Sequence, residues 1–286
     1  MSENYAIEIS GLTKRFDGFT LDKINLNLPK GCILGLIGEN GAGKSTTIRL
    51  IMNALRKDEG TVKVLGMDNE SKNFDTLKED IGVVLDEACF PMVLKVNDVN
   101  RMMKYTYRRW NEKKFAELIR RFNLPEKKTF KDFSRGMKMK LAIAVALSHD
   151  PKLLILDEAT GGLDPVVRDE ILEIFYDFTR QPDHSILISS HILSDLEKLC
   201  DYVAFLHDGR LLFSEEKDLL MEKYGILHCK WKELEEVPAE AIRGRKSSTY
   251  GVECLVERSL ISPAFAVEKA TIEDIMLFMV KGEMTR

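Results

Sequence analysis

The feature that most constrains this chain is a short apolar run that leads directly into a glycine-rich segment. Cys32 to Ile37 is almost wholly apolar, and the segment Gly38 to Thr46 that follows has the pattern GxxGxGKST. A short run that is apolar along its length is typical of a strand buried on both faces, as in parallel α/β sheets. Glycines let consecutive N–H groups point at phosphate oxygens, and a helix N-terminus adds positive potential. We therefore predict a phosphate loop between a core strand and a helix that begins near Lys44.

This loop predicts a nucleoside triphosphate site. Lys44 is expected to reach the β- and γ-phosphates, and Ser45 to ligate Mg²⁺. The alternative is a chance glycine loop, but glycine, lysine and serine at these offsets arise by accident about one time in a hundred in a chain this long. The predicted nucleotide-binding residues of the loop are Gly38, Glu39, Asn40, Gly41, Ala42, Gly43, Lys44, Ser45 and Thr46.

Two further apolar runs predict core strands that carry site residues at their ends. Leu153 to Leu156 is followed by Asp157 and Glu158, and Ile186 to Ile188 is the other run. Asp157 is predicted to hold Mg²⁺ through water, and Glu158 to orient and deprotonate the attacking water. An acidic pair after a strand is a weak signal alone, because such loops are often acidic. Together with a phosphate loop it predicts hydrolysis of a nucleoside triphosphate.

Three more segments make the sequence resemble the nucleotide-binding domain of an ABC ATPase over about its first 213 residues. Phe133 to Met137, Phe-Ser-Arg-Gly-Met, stands where that family carries its LSGGQ signature. Asp164, in Gly-Leu-Asp-Pro, matches the D-loop, and His191, in Ile-Ser-Ser-His, matches the switch histidine. The resemblance implies a P-loop NTPase core of ABC type with bound ATP and Mg²⁺.

The resemblance also assigns roles to individual residues. Ser134 and Gly136, at the start of a predicted helix from Met137 to Leu147, would contact the γ-phosphate of an ATP held by the opposite subunit. Two such domains would close head to tail around two ATP molecules. His191 would contact the γ-phosphate and the attacking water. Asp164 is also predicted to be a catalytic residue. Phe16 stands where the family places an aromatic ring against adenine, although a core position is its alternative role.

The sequence departs from the family pattern at two places. Asp86 stands where the family usually has a glutamine, and a carboxylate there can reach Mg²⁺ or its water but lacks the amide donor. In the signature, Arg135 replaces a glycine and Met137 a glutamine. Because Lys44 and the other predicted catalytic residues are retained, we expect a working site rather than a module that only binds ATP.

The expected fold class is α/β, with an N-terminal antiparallel β subdomain, a helical insertion and a small C-terminal α+β extension. Ala6 to Leu12 and Thr20 to Leu28 alternate apolar and polar residues around Asp17-Gly18, which predicts an antiparallel pair. Helical periodicity predicts a helical subdomain at about residues 88–150. A change in composition places the domain boundary between residues 1–213, the ATPase domain, and 214–286, an accessory region that ends in a helix from Ile272 to Val280.

Composition and charge exclude several classes of protein. The apolar runs are far shorter than the roughly 20 residues that span a bilayer, so we expect membrane permease subunits to be separate partners. The start of the chain lacks the features of a signal peptide, which predicts a cytoplasmic protein. The resemblance implies that it is peripheral at the inner face of the membrane. The 42 basic and 46 acidic side chains give a net charge of −4, so no nucleic-acid partner is expected.

The preferred function is an ATPase subunit that energises transport, with a preference for export because the tail, Ala270 to Phe278, resembles that of bacterial exporter ATPases. The stretch from Ala88 to Asn97 is the expected permease surface, and the second ATPase subunit is either another copy or a paralogue. A soluble ABC ATPase acting on ribosomes or DNA is an alternative. It fits this sequence poorly, because the chain has one set of motifs and no heptad run. A regulatory ATP-binding module without turnover is the other alternative.

Overall fold

A computed structural model of the chain describes residues 4–86, 90–248 and 251–281. The chain divides into two compact units, the first ending at Ser214 and the second beginning at Glu215, a boundary that falls inside the strand Arg210–Glu216. Within the described part, no helix is both long enough and apolar enough to cross a membrane.

The first unit alternates strands and helices. Its strands are β1 (Tyr5–Phe16), β2 (Phe19–Pro29), β3 (Ile33–Ile37), β4 (Glu59–Val64), β5 (Met67–Asp68), β6 (Ile81–Val84), β7 (Leu153–Asp157), β8 (Ser185–Ser190), β9 (Tyr202–His207) and β10 (Arg210–Glu216). Its helices are α1 (Lys44–Ile51), α2 (Phe74–Leu77), α3 (Val96–Thr106), α4 (Glu112–Arg121), α5 (Arg135–Leu147), α6 (Pro165–Phe178) and α7 (Leu193–Leu199).

The N-terminal part of this unit is an antiparallel sheet with the strand order β2-β1-β4-β5. β1 and β2 pair from Tyr5 opposite Pro29 to Phe16 opposite Phe19, so the chain turns at Asp17-Gly18 as predicted. In β2, Ile24, Leu26 and Leu28 are buried while the residues between them are exposed. One apolar face therefore packs into the core and the other meets solvent.

The core is a six-stranded sheet with the order β10-β9-β3-β8-β7-β6. The three strands predicted from apolar runs, β3, β7 and β8, are buried along their whole length and pair in parallel. The strands β6, β9 and β10 were not predicted. Because β3, β7 and β8 run in the same direction, the segments after Ile37, Asp157 and Ser190 leave the sheet at the same edge.

The helical part of the first unit contains α3, α4 and α5, between the core strands β6 and β7. α5 begins at Arg135, with Ser134 as its N-cap, two residues before the predicted start at Met137. Its apolar residues from Leu141 to Leu147 are all buried. The start of the predicted subdomain, residues 88 and 89, lies outside the described residues.

The second unit is a small α+β structure. It contains α8 (Lys217–Lys223), β11 (Tyr224–Cys229), α9 (Trp231–Leu234), β12 (Ile242–Ser248), β13 (Gly251–Glu257), β14 (Val267–Lys269) and α10 (Ile272–Lys281). The strands form an antiparallel sheet with the order β12-β13-β11-β14. The helix expected at Ile272 to Val280 is α10, one residue longer in the structure.

Candidate active site

The glycine-rich loop connects β3 to α1, which begins at Lys44. Gly43, the N-cap of this helix, has φ 112°, a conformation that favours glycine because it lacks a Cβ atom. A Cβ at Gly38 would lie 2.5 Å from the carbonyl oxygen of Leu206 on the neighbouring β9. The glycines at these positions are therefore needed for the loop to turn and to pack against the sheet.

Lys44 links this loop to the end of β7. Its side chain is 6% exposed, and the ammonium donates to the carbonyl oxygens of Gly38 at 2.8 Å and Glu39 at 3.3 Å. The same nitrogen lies 3.4 Å from Glu158 Oε1. The structure thus brings together the lysine of the phosphate loop and the predicted catalytic carboxylate.

An open pocket of about 260 Å³ lies over the loop. Its lining residues are Phe19, Glu39, Asn40, Gly41, Gly43, Lys44, Ser45, Thr46, Asp86 and Glu158. The predicted site residues that are not among them are Phe16, Gly38, Ala42, Ser134, Gly136, Asp157, Asp164 and His191. The pocket therefore joins the phosphate loop to Asp86 and Glu158 and leaves the signature segment outside.

Ser189 on β8 fixes the two carboxylates at the end of β7. The register places it beside Asp157, and its hydroxyl donates to Asp157 Oδ1 at 2.5 Å. The same Oγ accepts a hydrogen bond from the backbone N–H of Glu158 at 3.1 Å. Glu158 has φ 52°, a backbone conformation uncommon outside glycine. Ser189 was not singled out from the sequence, although it stands in the same short motif as His191.

Glu158 is held from two sides. His191 Nδ1 lies 2.5 Å from Glu158 Oε2, while Glu158 Oε1, the oxygen near Lys44, is buried and has no hydrogen-bond partner. The side chain of Glu158 is 14% exposed and that of His191 is 58% exposed. One carboxylate oxygen is therefore oriented by His191, and the other lies beside the Lys44 ammonium.

The other motif residues cap helices. Ser134 is the N-cap of α5 and its Oγ accepts from the backbone N–H of Met137 at 3.2 Å. Asp164 is the N-cap of α6 and accepts from Val167 N–H at 3.0 Å. Ser134 and Asp164 are exposed, and a Cβ at Gly136 would meet Leu163 at 3.6 Å. The start of α5 therefore lies beside the loop that leads to Asp164.

The two positions that depart from the family pattern contact each other. Arg135 Nη2 donates to Asp86 Oδ1 at 2.7 Å, and the side chains are 57% and 49% exposed. The guanidinium also lies against Gly162, where an added Cβ would be 3.0 Å from Nη1. This contact was not predicted from the sequence.

The aromatic residues at the β1–β2 turn lie next to each other. The rings of Phe16 and Phe19 have centroids 6.3 Å apart, and Phe16 is 42% exposed. Phe19 lines the pocket and Phe16 does not. Phe19, an aromatic residue three positions after Phe16 in the same hairpin, was not predicted from the sequence.

The donors near the loop suit Mg²⁺. The structure, over the residues it describes, has no group of three or more His, Cys, Asp or Glu side chains able to hold a metal ion by themselves. Ser45 and Asp86 line the pocket, and Asp157 is 5% exposed at the end of β7. Hard oxygen donors in small number match Mg²⁺, which keeps several waters and binds through substrate phosphates.

Comparison with known proteins places this geometry in a family. The sequence matches the family described as "ABC transporter" over residues 21–161. It is 35% identical over 215 residues to the lantibiotic transport ATP-binding protein SrtF of Streptococcus pyogenes, an alignment that covers 74% of this chain and 91% of that protein. The chain belongs to the ATP-binding proteins of ABC transporters.

Two further comparisons agree. This ABC ATPase is 35% identical over 216 residues to the bacitracin transport ATP-binding protein BcrA of Enterococcus faecalis, covering 74% of the chain and 70% of the relative. A solved structure of an ATP-binding subunit of an ABC transporter superposes with a TM-score of 0.68 at 27% identity, covering 75% and 91% of the two chains. The predicted family, the ABC-type α/β fold and the prediction of an ATP-binding, ATP-hydrolysing protein are confirmed.

Proposed function

We propose that this ABC ATPase energises export of a substrate through a separate membrane permease, at the cytoplasmic face of the membrane, and that ATP closes it into a dimer. The observation that carries the proposal is the contact chain from Lys44 through Glu158 to His191. It provides a phosphate-binding cation, a carboxylate base and an orienting histidine in one place. A module that only binds ATP has no need of the last two.

The roles of these residues in hydrolysis follow from their contacts. Lys44 is to leave the carbonyl oxygens of Gly38 and Glu39 for the β- and γ-phosphates, because phosphate oxygens are the stronger acceptors. Glu158 Oε1, which has no hydrogen-bond partner, is to accept the proton of the attacking water. His191 holds the other oxygen and is to contact the γ-phosphate from its exposed position.

Mg²⁺, when bound, neutralises charge that develops on the phosphates. Ser45, Asp157 and Asp86 are the residues that would hold it, directly or through water. Ser189 keeps Asp157 in place by its hydrogen bond, which fixes the carboxylate without a cation.

The dimer is supported by the position of the signature residues. Ser134 is exposed at the N-terminus of α5, outside the pocket of its own chain. The positive end of that helix suits a phosphate. Ser134, Gly136 and Asp164 are therefore proposed to complete the site of a second ATPase subunit, either a copy of this chain or a paralogue.

The permease is supported by an exposed apolar segment and by the names of relatives. Met92 and Val93, in the described part of the predicted partner surface, are 54% and 78% exposed. Large apolar side chains in such exposure suit a partner that covers them. Export is supported because relatives are named bacitracin transport and lantibiotic transport ATP-binding proteins.

The test is the solution mass of a Glu158→Gln variant with and without ATP, measured by light scattering. Removal of the proposed base is expected to trap the closed dimer. The measured mass should therefore double with ATP and stay at the value of a monomer with ADP. A variant that binds ATP and stays a monomer contradicts closure of two copies and points to a paralogous partner. An unchanged ATPase rate in Glu158→Gln would refute the assignment of the base.

A further inference from the structure

The ion pair between Asp86 and Arg135 joins segments that the nucleotide site uses. Asp86 follows β6 by two residues, and Arg135 is the first residue of α5. The guanidinium donates to Asp86 Oδ1 at 2.7 Å and lies against Gly162, two residues before Asp164. Arg135 therefore connects the loop after β6, the start of the signature helix and the segment that leads to Asp164.

Asp86 faces two ways in this arrangement. It lines the same pocket as Ser45 and Glu158, and a carboxylate is a ligand that binds divalent cations such as Mg²⁺. Its Oδ1 atom is bonded to Arg135. A guanidinium at hydrogen-bond distance cancels much of the negative charge that attracts a cation, so arginine and cation compete for one carboxylate.

The pair is weak enough to be exchanged. Its side chains are about half exposed, and exposed ion pairs contribute about 0–1 kcal/mol. Arg135 is also a cation at the positive end of a helix whose first turn has no acidic residue. Asp86 supplies the negative charge that this helix end lacks. The ion pair can separate when a stronger partner binds either side chain.

We propose that Arg135 is a positioning residue that competes with the divalent cation for Asp86, so that binding of Mg²⁺ with ATP separates the pair. This inference rests on the proposed role of Asp86 as a cation ligand. Cation binding thereby releases Arg135 at the exposed end of α5. The two departures from the family pattern act as one device that weakens the dependence of nucleotide binding on Mg²⁺.

The test compares the affinity for trinitrophenyl-ATP in Mg²⁺ with the affinity in EDTA, by fluorescence titration. The ratio of the two affinities reports how strongly the cation supports nucleotide binding. Arg135→Ala is expected to raise the ratio about two- to fivefold, from the range measured for exposed ion pairs. Arg135→Lys, which keeps the charge, should stay close to the wild type, and Asp86→Asn should lower the ratio.

A double variant separates this mechanism from a general loss of positive charge. If Arg135 acts through Asp86, Arg135→Ala has no effect on the ratio in an Asp86→Asn background. The matched control is Arg101→Ala, which breaks the exposed pair of Arg101 with Asp98 on α3 and should leave the ratio unchanged. Arg135→Gly, which introduces the family's residue, is a second variant that tests the same point if the alanine variant does not fold.

The outcomes distinguish the inference from the function beneath it. If the wild-type ratio is clearly above one, and both Arg135→Ala and Arg135→Gly leave it unchanged, the inference is overturned. The proposed function is then unaffected. An Arg135→Ala effect that persists with Asp86→Asn also overturns it, because the arginine then acts without Asp86. A wild-type ratio of one removes the proposed Mg²⁺ role of Asp86 together with the inference.

Discussion

Glu158 and Asp86 are carboxylates that line one pocket, yet they are held in opposite ways. Glu158 is 14% exposed, contacts Lys44 and His191, and follows a strand fixed by β8. Asp86 is 49% exposed, stands in a loop after the edge strand β6, and bonds to Arg135. Glu158 is held by several contacts directly after a central strand, whereas Asp86 stands in an exposed loop with one ion pair, so Asp86 is the freer of the two to exchange partners. We therefore assign the hydrolytic chemistry to the region around Glu158 and the response to a bound cation to the loop that carries Asp86.

The sharpest test of this contrast is Lys44→Met. It removes the cation that contacts both the loop carbonyls and Glu158, so nucleotide affinity should fall by about 2–5 kcal/mol, as for truncation of a buried charge pair. Isothermal titration with ATP measures the loss. The control is Lys57→Met, since Lys57 is also largely buried and pairs with Glu70. Retention of wild-type affinity by Lys44→Met would contradict the assignment of Lys44 and its loop as the phosphate site.

The next test is Ser189→Ala. Ser189→Ala removes the hydrogen bonds to Asp157 and to the Glu158 backbone, and hydrogen bonds to charged groups contribute about 1.5–3 kcal/mol. If this energy is lost from the activation barrier of hydrolysis, kcat falls about tenfold to a hundredfold. A steady-state ATPase assay measures this change. Ser185→Ala is the control, because Ser185 is buried at the opposite end of the same strand and bonds to backbone atoms at Pro29 and Gly31. Equal rates in the two variants would show that Ser189 positions nothing.

The residues beside the central strands could be predicted from the sequence, whereas the contacts that depend on strand register or on exposed loops could not. Lys44 and Glu158 were identifiable because each stands in a short motif that follows a largely apolar run, and such runs form the central parallel strands. Ser189 was missed because its role depends on register between β7 and β8, which local sequence does not encode. The bond from Arg135 to Asp86 joins residues 49 positions apart in exposed segments, where periodicity carries no information.

Ser134→Ala tests whether the exposed signature segment serves a second subunit. Loss of the N-cap should destabilise α5 by about 1 kcal/mol. Asn111→Ala is the control, since Asn111 caps α4 in the same way by accepting from Lys114 N–H at 3.0 Å. The variants should lose similar thermal stability, but Ser134→Ala should also weaken ATP-dependent association of the Glu158→Gln protein. Equal association in the two variants would mean that Ser134 acts as a cap alone.

The smallest expected effect concerns the two neighbouring aromatic residues at the β1–β2 turn, of which Phe19 lines the pocket. Phe16, with its ring 42% exposed, is expected to stack on adenine, so Phe16→Ala should weaken ATP binding by about 0.5–1.5 kcal/mol. Every base offers a similar face to a ring, so GTP should lose affinity by a similar factor. Phe19→Leu is the comparison, because Phe19 lines the pocket and packs near Gly43. If Phe19→Leu weakens ATP binding and Phe16→Ala does not, the contact to adenine belongs to Phe19, the residue that lines the pocket.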